Sequence, residues 1–201
     1  QAESAMLRQS FARVCSKAAL SPEALDYVLS GDLLNQCVGS AYAMRGVGAP
    51  YLGLYGACST MAEAVSLAAM LIDGGCAETA AALTSSHRFP LEYGGVRPPT
   101  AQWTVTGAGA LILAAAGNGP RVTMATTGTI VDAGIADTNN MGAAMAPAAY
   151  ETLRAHFADT GRTPDYYDLI VTGDLGKIGH TVVTRLFQND GIELEGLYTD
   201  C

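Results

Sequence analysis

No basic patch occurs anywhere in this sequence: eleven Lys and Arg are scattered among nineteen Asp and Glu, for a net charge of −8. Binding of nucleic acid through phosphate neutralisation is excluded as a main activity. A small anion is repelled at long range and needs local donors in a pocket. Charge of either sign is scarce, at 15% of residues, while 49% are apolar and 23 are glycine. That composition excludes a disordered chain, and 201 residues bury a real core, as one large domain or two small ones. No apolar run reaches the roughly eighteen residues a membrane-crossing helix needs, and the first residues show no signal-peptide pattern. The five cysteines are Cys15, Cys37, Cys58, Cys76 and Cys201. Odd in number and without paired short spacings, they point away from a disulfide framework or zinc site and toward a reducing compartment. The sequence begins at Gln1 rather than methionine and stops at Cys201, which reads as part of a longer protein.

What is present is an alternation of strands and helices. Leu7, Phe11, Val14 and Ala18 fall on one stripe of an opening helix. Ser21-Pro22-Glu23 supplies a cap and a first-turn proline, and Tyr27–Gly31 and Tyr51–Gly56 read as strands. Residues 59–73 form a helix apolar almost all round, closed by Gly74-Gly75, and such a helix is expected to be buried on every side. Strands follow at Ala77–Ser86, Trp103–Ala116 and Arg121–Ile130. The second part predicts a helix over Ala148–Ala158 closed by Gly161, a strand at Asp168–Gly173, and a helix over Ile178–Gln188. The fold class is therefore α/β, with mixed sheets covered by helices on both faces. The division falls between 1–119, carrying Cys58, and 120–201, which repeats the grammar more thinly.

Chemistry centres on Gly56-Ala57-Cys58-Ser59-Thr60. The sulfur emerges where a strand turns into a helix, and the free amides and positive end of that helix favour a thiolate. Gly56 permits the sharp turn. The alternative is a small apolar cysteine filling core space.

Longer motifs surround it. The run from Leu52 to Thr60, followed by an apolar helix, resembles the nucleophile site of the thiolase-like superfamily. Gly31-Asp-Leu-Leu-Asn-Gln36, the stretch from Arg97 to Gly107, Asn139-Asn-Met-Gly-Ala-Ala-Met-Ala-Pro147 and Gly173-Asp-Leu-Gly-Lys-Ile-Gly-His180 are similar to the stage V sporulation protein AD family over essentially the whole chain. The resemblance implies a thiolase-like fold, with mixed sheets layered around a buried central helix, of which this chain is an incomplete part. It also implies binding of dipicolinic acid, free or as its calcium chelate, for uptake into the developing spore. The implied partners are the membrane subunits of a spore channel, at the cytoplasmic face of the forespore inner membrane, and a second copy in a homodimer. No cofactor is implied.

Departures from the enzyme pattern matter as much. A condensing enzyme of this superfamily pairs its cysteine with histidine, or with histidine and asparagine, to activate the thiol and hold an oxyanion. In the related ketoacyl synthases a catalytic histidine follows a strand like Asp168–Val171. Here Gly173-Asp174 stands in that place, and His180 lies too far along. The resemblance therefore implies a retired catalyst with Cys58 as nucleophile equivalent, or else an acyl-transferring enzyme that still uses Cys58. The ligand-binding candidates are Cys58, Ser59, Asn35, His87, Asp174, Lys177 and His180. The amides at the Cys58 helix and at Gly173–Lys177 would donate to carboxylates. Lys177 is a cationic partner or a solvated charge. His180 is a partner or a core histidine, and Asp174 binds calcium or caps its helix. Arg88 and Arg97 line a pocket mouth or pair with Glu92, and the family carries a longer segment after His87.

Overall fold

A computed structural model describes residues 2–87, 99–100, 102, 105–194 and 196–200. The expectations for Arg88, Arg97 and Phe89–Tyr93 lie outside the described residues. The elements fall into two compact units. The first holds α1 (Ala2–Ala18), β1 (Tyr27–Gly31), α2 (Val38–Met44), β2 (Tyr51–Leu54), α3 (Thr60–Asp73), β3 (Thr79–Ser86) and β4 (Gly107–Ala114). The second holds α4 (Met141–Thr160), β5 (Ile170–Thr172), α5 (Gly176–Asn189) and β6 (Tyr198–Asp200).

In the first unit the sheet order is β2-β1-β3-β4. β1 runs parallel to β2 and β3, and β4 runs antiparallel to β3. Side chains alternate across the sheet, so each strand feeds two cores. Val28, Ala81 and Leu83 pack under Leu7, Phe11 and Cys15 of α1 and Ala43 and Met44 of α2. Leu29, Ala80 and Ala82 face the other way, against Ala64 and Ala68 of α3. Helices thus cover both faces, as the strand–helix alternation predicts.

Asp26 ties two strand starts together. Its carboxylate accepts the backbone N–H groups of Glu78 at 2.8 Å and Thr79 at 3.0 Å. Those donors, Thr79 first, hold the carboxyl below its ordinary value. A depressed folded-state pKa stabilises above the unfolded value and is lost as pH falls through the folded one. Asp26→Asn is therefore expected to lower the urea midpoint at pH 7 by more than it does below about pH 4. Midpoints measured at both pH values check this, and an equal gap would refute it.

In the second unit β5 and β6 form a parallel pair, packed by Phe157 of α4 and Val183 and Phe187 of α5. α4 opens with Asn140, whose side chain accepts the Ala143 N–H at 3.2 Å, and closes at left-handed Gly161. It runs through Pro147 and begins seven residues earlier than its periodicity predicts.

Three expectations need correction. No strand forms over 121–130. Alternation qualifies a segment for pairing, but among the described residues no strand bonds to it. Instead Thr126 Oγ1 reaches His156 Nδ1 of α4 at 2.7 Å, and Ile130 is fully exposed. Among the described residues of the strand expected over 103–116, Gly107–Ala114 form it. Finally, α3 is not enclosed on every side among the described residues. It buries Thr60, Ala64 and Ala68, one residue per turn toward the sheet, and leaves Met70 46% exposed. Its apolar flanks meet a layer on one side only.

Candidate functional site

In an α/β sheet, ligands gather at the carboxyl ends of parallel strands, where loops converge. In the first unit Asn35 follows β1, Cys58 follows β2 and His87 follows β3. The parallel register of those strands puts all three at one end of the sheet.

The turn that presents Cys58 is a short 3-10 segment, Ala57–Ser59, leading into α3. Ala57 takes a left-handed φ of 48°, a conformation residues with a side chain adopt only when the surroundings impose it. The carbonyl of Gly56 accepts both the Ser59 N–H at 3.0 Å and the Ser59 hydroxyl at 2.8 Å. Cys58 itself is exposed, and among the described residues it enters no hydrogen bond with a histidine. Its sulfur is not sealed in the core. A Cβ built at Gly56 would lie 2.5 Å from Glu63 Oε2, so the carboxylate from the first turn of α3 folds back over this turn. Thr60, 1% exposed, has a hydroxyl with no partner.

Beneath the loop after β1 lies a polar network that sequence reasoning missed. Asp32 is 1% exposed, and its carboxylate accepts the Leu34 N–H at 2.8 Å and the Ser40 N–H at 2.6 Å. The Ser40 hydroxyl donates to Cys37 O at 3.1 Å and lies 3.0 Å from Tyr51 Oη. Gln36 and Cys37 are both left-handed, with φ of 59° and 55°. The Cys37 thiol donates to Leu54 O at 2.8 Å, fastening this loop to the end of β2. Burial, followed by the nearby Asp32 charge, pushes that thiol up. The signal was an acid directly after a buried strand with small residues eight positions on. Asn35 is exposed above the network, and His87 Nδ1 sits 3.4 Å from Thr106 Oγ1.

The second unit gathers the remaining candidates after β5. Asp174 Oδ1 accepts the Gly176 N–H at 2.8 Å, and the Asp174 carbonyl accepts Gln102 Nε2 at 2.8 Å. Asp174 thus shapes the turn into α5. Lys177 is exposed, one position into that helix after Gly176. His180 stacks on Tyr198, ring centres 4.6 Å apart and planes 6° from parallel. Tyr198 Oη in turn lies 3.1 Å from Thr172 Oγ1. The stack gives His180 a packing role the sequence left open. His156, not singled out by the sequence, bridges Thr126 and Tyr167 Oη, the latter at 2.6 Å. Among the described residues no group of His, Cys, Asp and Glu is arranged to hold a metal ion.

The family model for stage V sporulation protein AD matches residues 1–201. The chain belongs to the stage V sporulation protein AD family. Stage V sporulation protein AD of Bacillus subtilis (strain 168) is 42% identical over 208 aligned residues. All of this chain is covered, but it spans only 62% of that relative. Similar solved structures include the following three. OleA of Xanthomonas campestris, solved with lauric acid and lauroyl-CoA, has a TM-score of 0.72 at 12% identity over 99% of this chain and 68% of its own. The tetronic acid condensing enzyme AbyA1 gives 0.64 at 17%, covering 97% and 70%. The 3-oxoacyl-(acyl carrier protein) synthase III of Pseudomonas aeruginosa gives 0.64 at 14%, covering 98% and 67%. This chain therefore carries a thiolase-like fold, with the Cys58 turn at the mouth of α3. No helix among the described residues is long and apolar enough to cross a membrane.

Proposed function

We propose that this chain is part of a non-catalytic sporulation subunit that binds dipicolinic acid as its calcium chelate, for uptake into the developing spore. One observation carries the reading: Cys58 is exposed at a helix mouth, and among the described residues no imidazole pairs with its thiol. Such a pair is what activates a cysteine nucleophile. What remains is a set of donors. The Thr60 N–H is spent on the Ala57 carbonyl, but the positive end of α3 and the Thr60 hydroxyl, unpartnered among the described residues, suit a carboxylate. Glu63, folded over the same turn, opposes a bare dianion and favours one that arrives with its cation. Asn35, Ser59 and His87 belong to the same end of the first unit's sheet, while Asp174, Lys177 and His180 are ligand-binding candidates within the second unit.

The subunit acts peripherally, beside membrane subunits of the spore channel at the cytoplasmic face of the forespore inner membrane, and as a homodimer. Support for pairing comes from the sheet edge. β2 bonds only to β1 among the described strands, and it exposes Leu52 with Tyr55 just beyond it. Val38 and Tyr42 of α2 are exposed as well. An apolar free edge of this kind invites a two-fold copy of itself.

A second reading, acyl transfer through a Cys58 thioester, is favoured by the exposed sulfur and the condensing enzymes that share the fold. Calorimetry on the intact protein separates the two. Saturable heat is expected with dipicolinate plus calcium at or below millimolar ligand, and exposure to acyl-CoA should leave the Cys58 peptide at its unmodified mass. An acyl adduct on Cys58 would replace the first reading with the second. No heat from a folded sample would remove the first.

A further inference from the structure

Acidic chains that bind anions must set cations apart from their own carboxylates, and α1 does this. Its seventeen residues carry Arg8, Arg13 and Lys17 but only one acid, Glu3. Glu3 is turned inward, 6% exposed, and accepts the Ser85 hydroxyl at 3.0 Å. Every charge on the solvent face of the helix is therefore basic, on a molecule of net charge −8. Arg8 is already in use. Its guanidinium donates to the carbonyls of Ala43, Tyr42 and Arg45, closing the end of α2. Arg13 and Lys17, one turn apart, make no ion pair among the described residues.

Both line a cleft of about 430 Å³ with Ser10, Val14, Ser16 and Ala110 of β4. That volume lies within the range of small-molecule sites. We propose that this cleft binds a phosphoryl group, carried by a small organic phosphate or by a lipid headgroup. The forked Arg13 donor, the compact Lys17 ammonium and the Ser16 hydroxyl offer more donors than one carboxylate absorbs, and they match the oxygens of a phosphoryl group, while the Ser10 hydroxyl is donated to the Ala108 carbonyl at 3.5 Å. Val14 and Ala110 give an apolar floor for the carbon that carries it. The apolar stripe of α1 is spent on the core through Leu7, Phe11 and Cys15, so the helix cannot insert into a bilayer, and any contact with lipid is confined to headgroups. The site lies on α1 and β4 and does not depend on the Cys58 reading.

The test uses the intact protein in low-salt buffer. Glycerol phosphate is titrated by calorimetry, and phosphatidylglycerol and phosphatidylcholine vesicles are compared by flotation. Saturable binding of one phosphoryl source is expected, weakened about tenfold or more by Arg13→Gln and several-fold by Lys17→Gln, with Arg45→Gln unchanged. Glycerol phosphate alone binding assigns a soluble ligand, and phosphatidylglycerol alone assigns a headgroup. Absence of both, or equal loss with Arg45→Gln, would overturn the site. Dipicolinate binding in the Arg13→Gln protein should persist, which keeps the two readings separable.

Discussion

Gly142→Ala is expected to destabilise the protein by about 3 kcal/mol, against the rule that alanine is the better helix former. Gly142 sits in the first turn of α4, where propensity alone predicts a gain of up to about 1 kcal/mol. Space decides otherwise. A Cβ there would meet the Leu175 carbonyl oxygen at 1.9 Å and Gly179 N at 3.3 Å. Gly179 of α5 answers from the other side, its own Cβ position lying 2.7 Å from Leu175 Cβ and 2.9 Å from Gly142 O. Two glycines let α4 and α5 meet backbone to backbone, and one methyl must push them apart, with overpacking costs at the upper end of the usual range. Gly117, with nothing within 4 Å, serves as control, and Gly117→Ala should fall within about 0.5 kcal/mol of the parent. Urea unfolding measures both. A neutral or stabilised Gly142→Ala would mean that the helices cross with slack.

The second large effect belongs to Asp32. Asp32→Ala is expected to cost about 3 kcal/mol, because it orphans the buried amide of Ser40 and the half-buried amide of Leu34. Asp32→Asn keeps one acceptor and should lose markedly less. The cost has a functional side. Those amides hold the strained Gln36–Cys37 step, and Cys37 in turn holds Leu54, two residues before the Cys58 turn begins. The alanine variant should therefore speed alkylation of Cys37 by a thiol reagent, read by peptide mass spectrometry. Unchanged stability together with unchanged Cys37 labelling would show that the network is ornamental.

How much of this was legible in the sequence depended on whether the signal was local. The Cys58 turn was legible because Gly56 breaks a strand and a helical apolar pattern starts four residues later. β1 and β3 were legible as short apolar runs. α2 was missed because Gly39 and Ser40 interrupt any stripe in seven residues, and β6 because Tyr198-Thr199-Asp200 is too short to show alternation. The strand expected at 121–130 failed for the opposite reason: its alternation is real, but pairing belongs to the partner and cannot be read from one segment. α3 misled in the same way, since an apolar circumference states what a helix can bury, not how many layers meet it. Buried Asp32 and Glu3 escaped notice because an acid looks solvated until its hydrogen-bond partners are known.

Ala80, Ala81 and Ala82 at the heart of β3 are all fully buried, facing α1 and α2 on one side and α3 on the other. Three methyl groups set the gauge of the first unit, the least thickness a three-layer stack with side chains can have. Growth at Ala80 or Ala82 would lift α3 bodily and carry its mouth, sulfur included, off the end of the sheet. Growth at Ala81 would leave that mouth in place and strain only the far layer. Neighbouring positions of one strand thus answer separately for where the site stands and for how firmly the fold behind it holds.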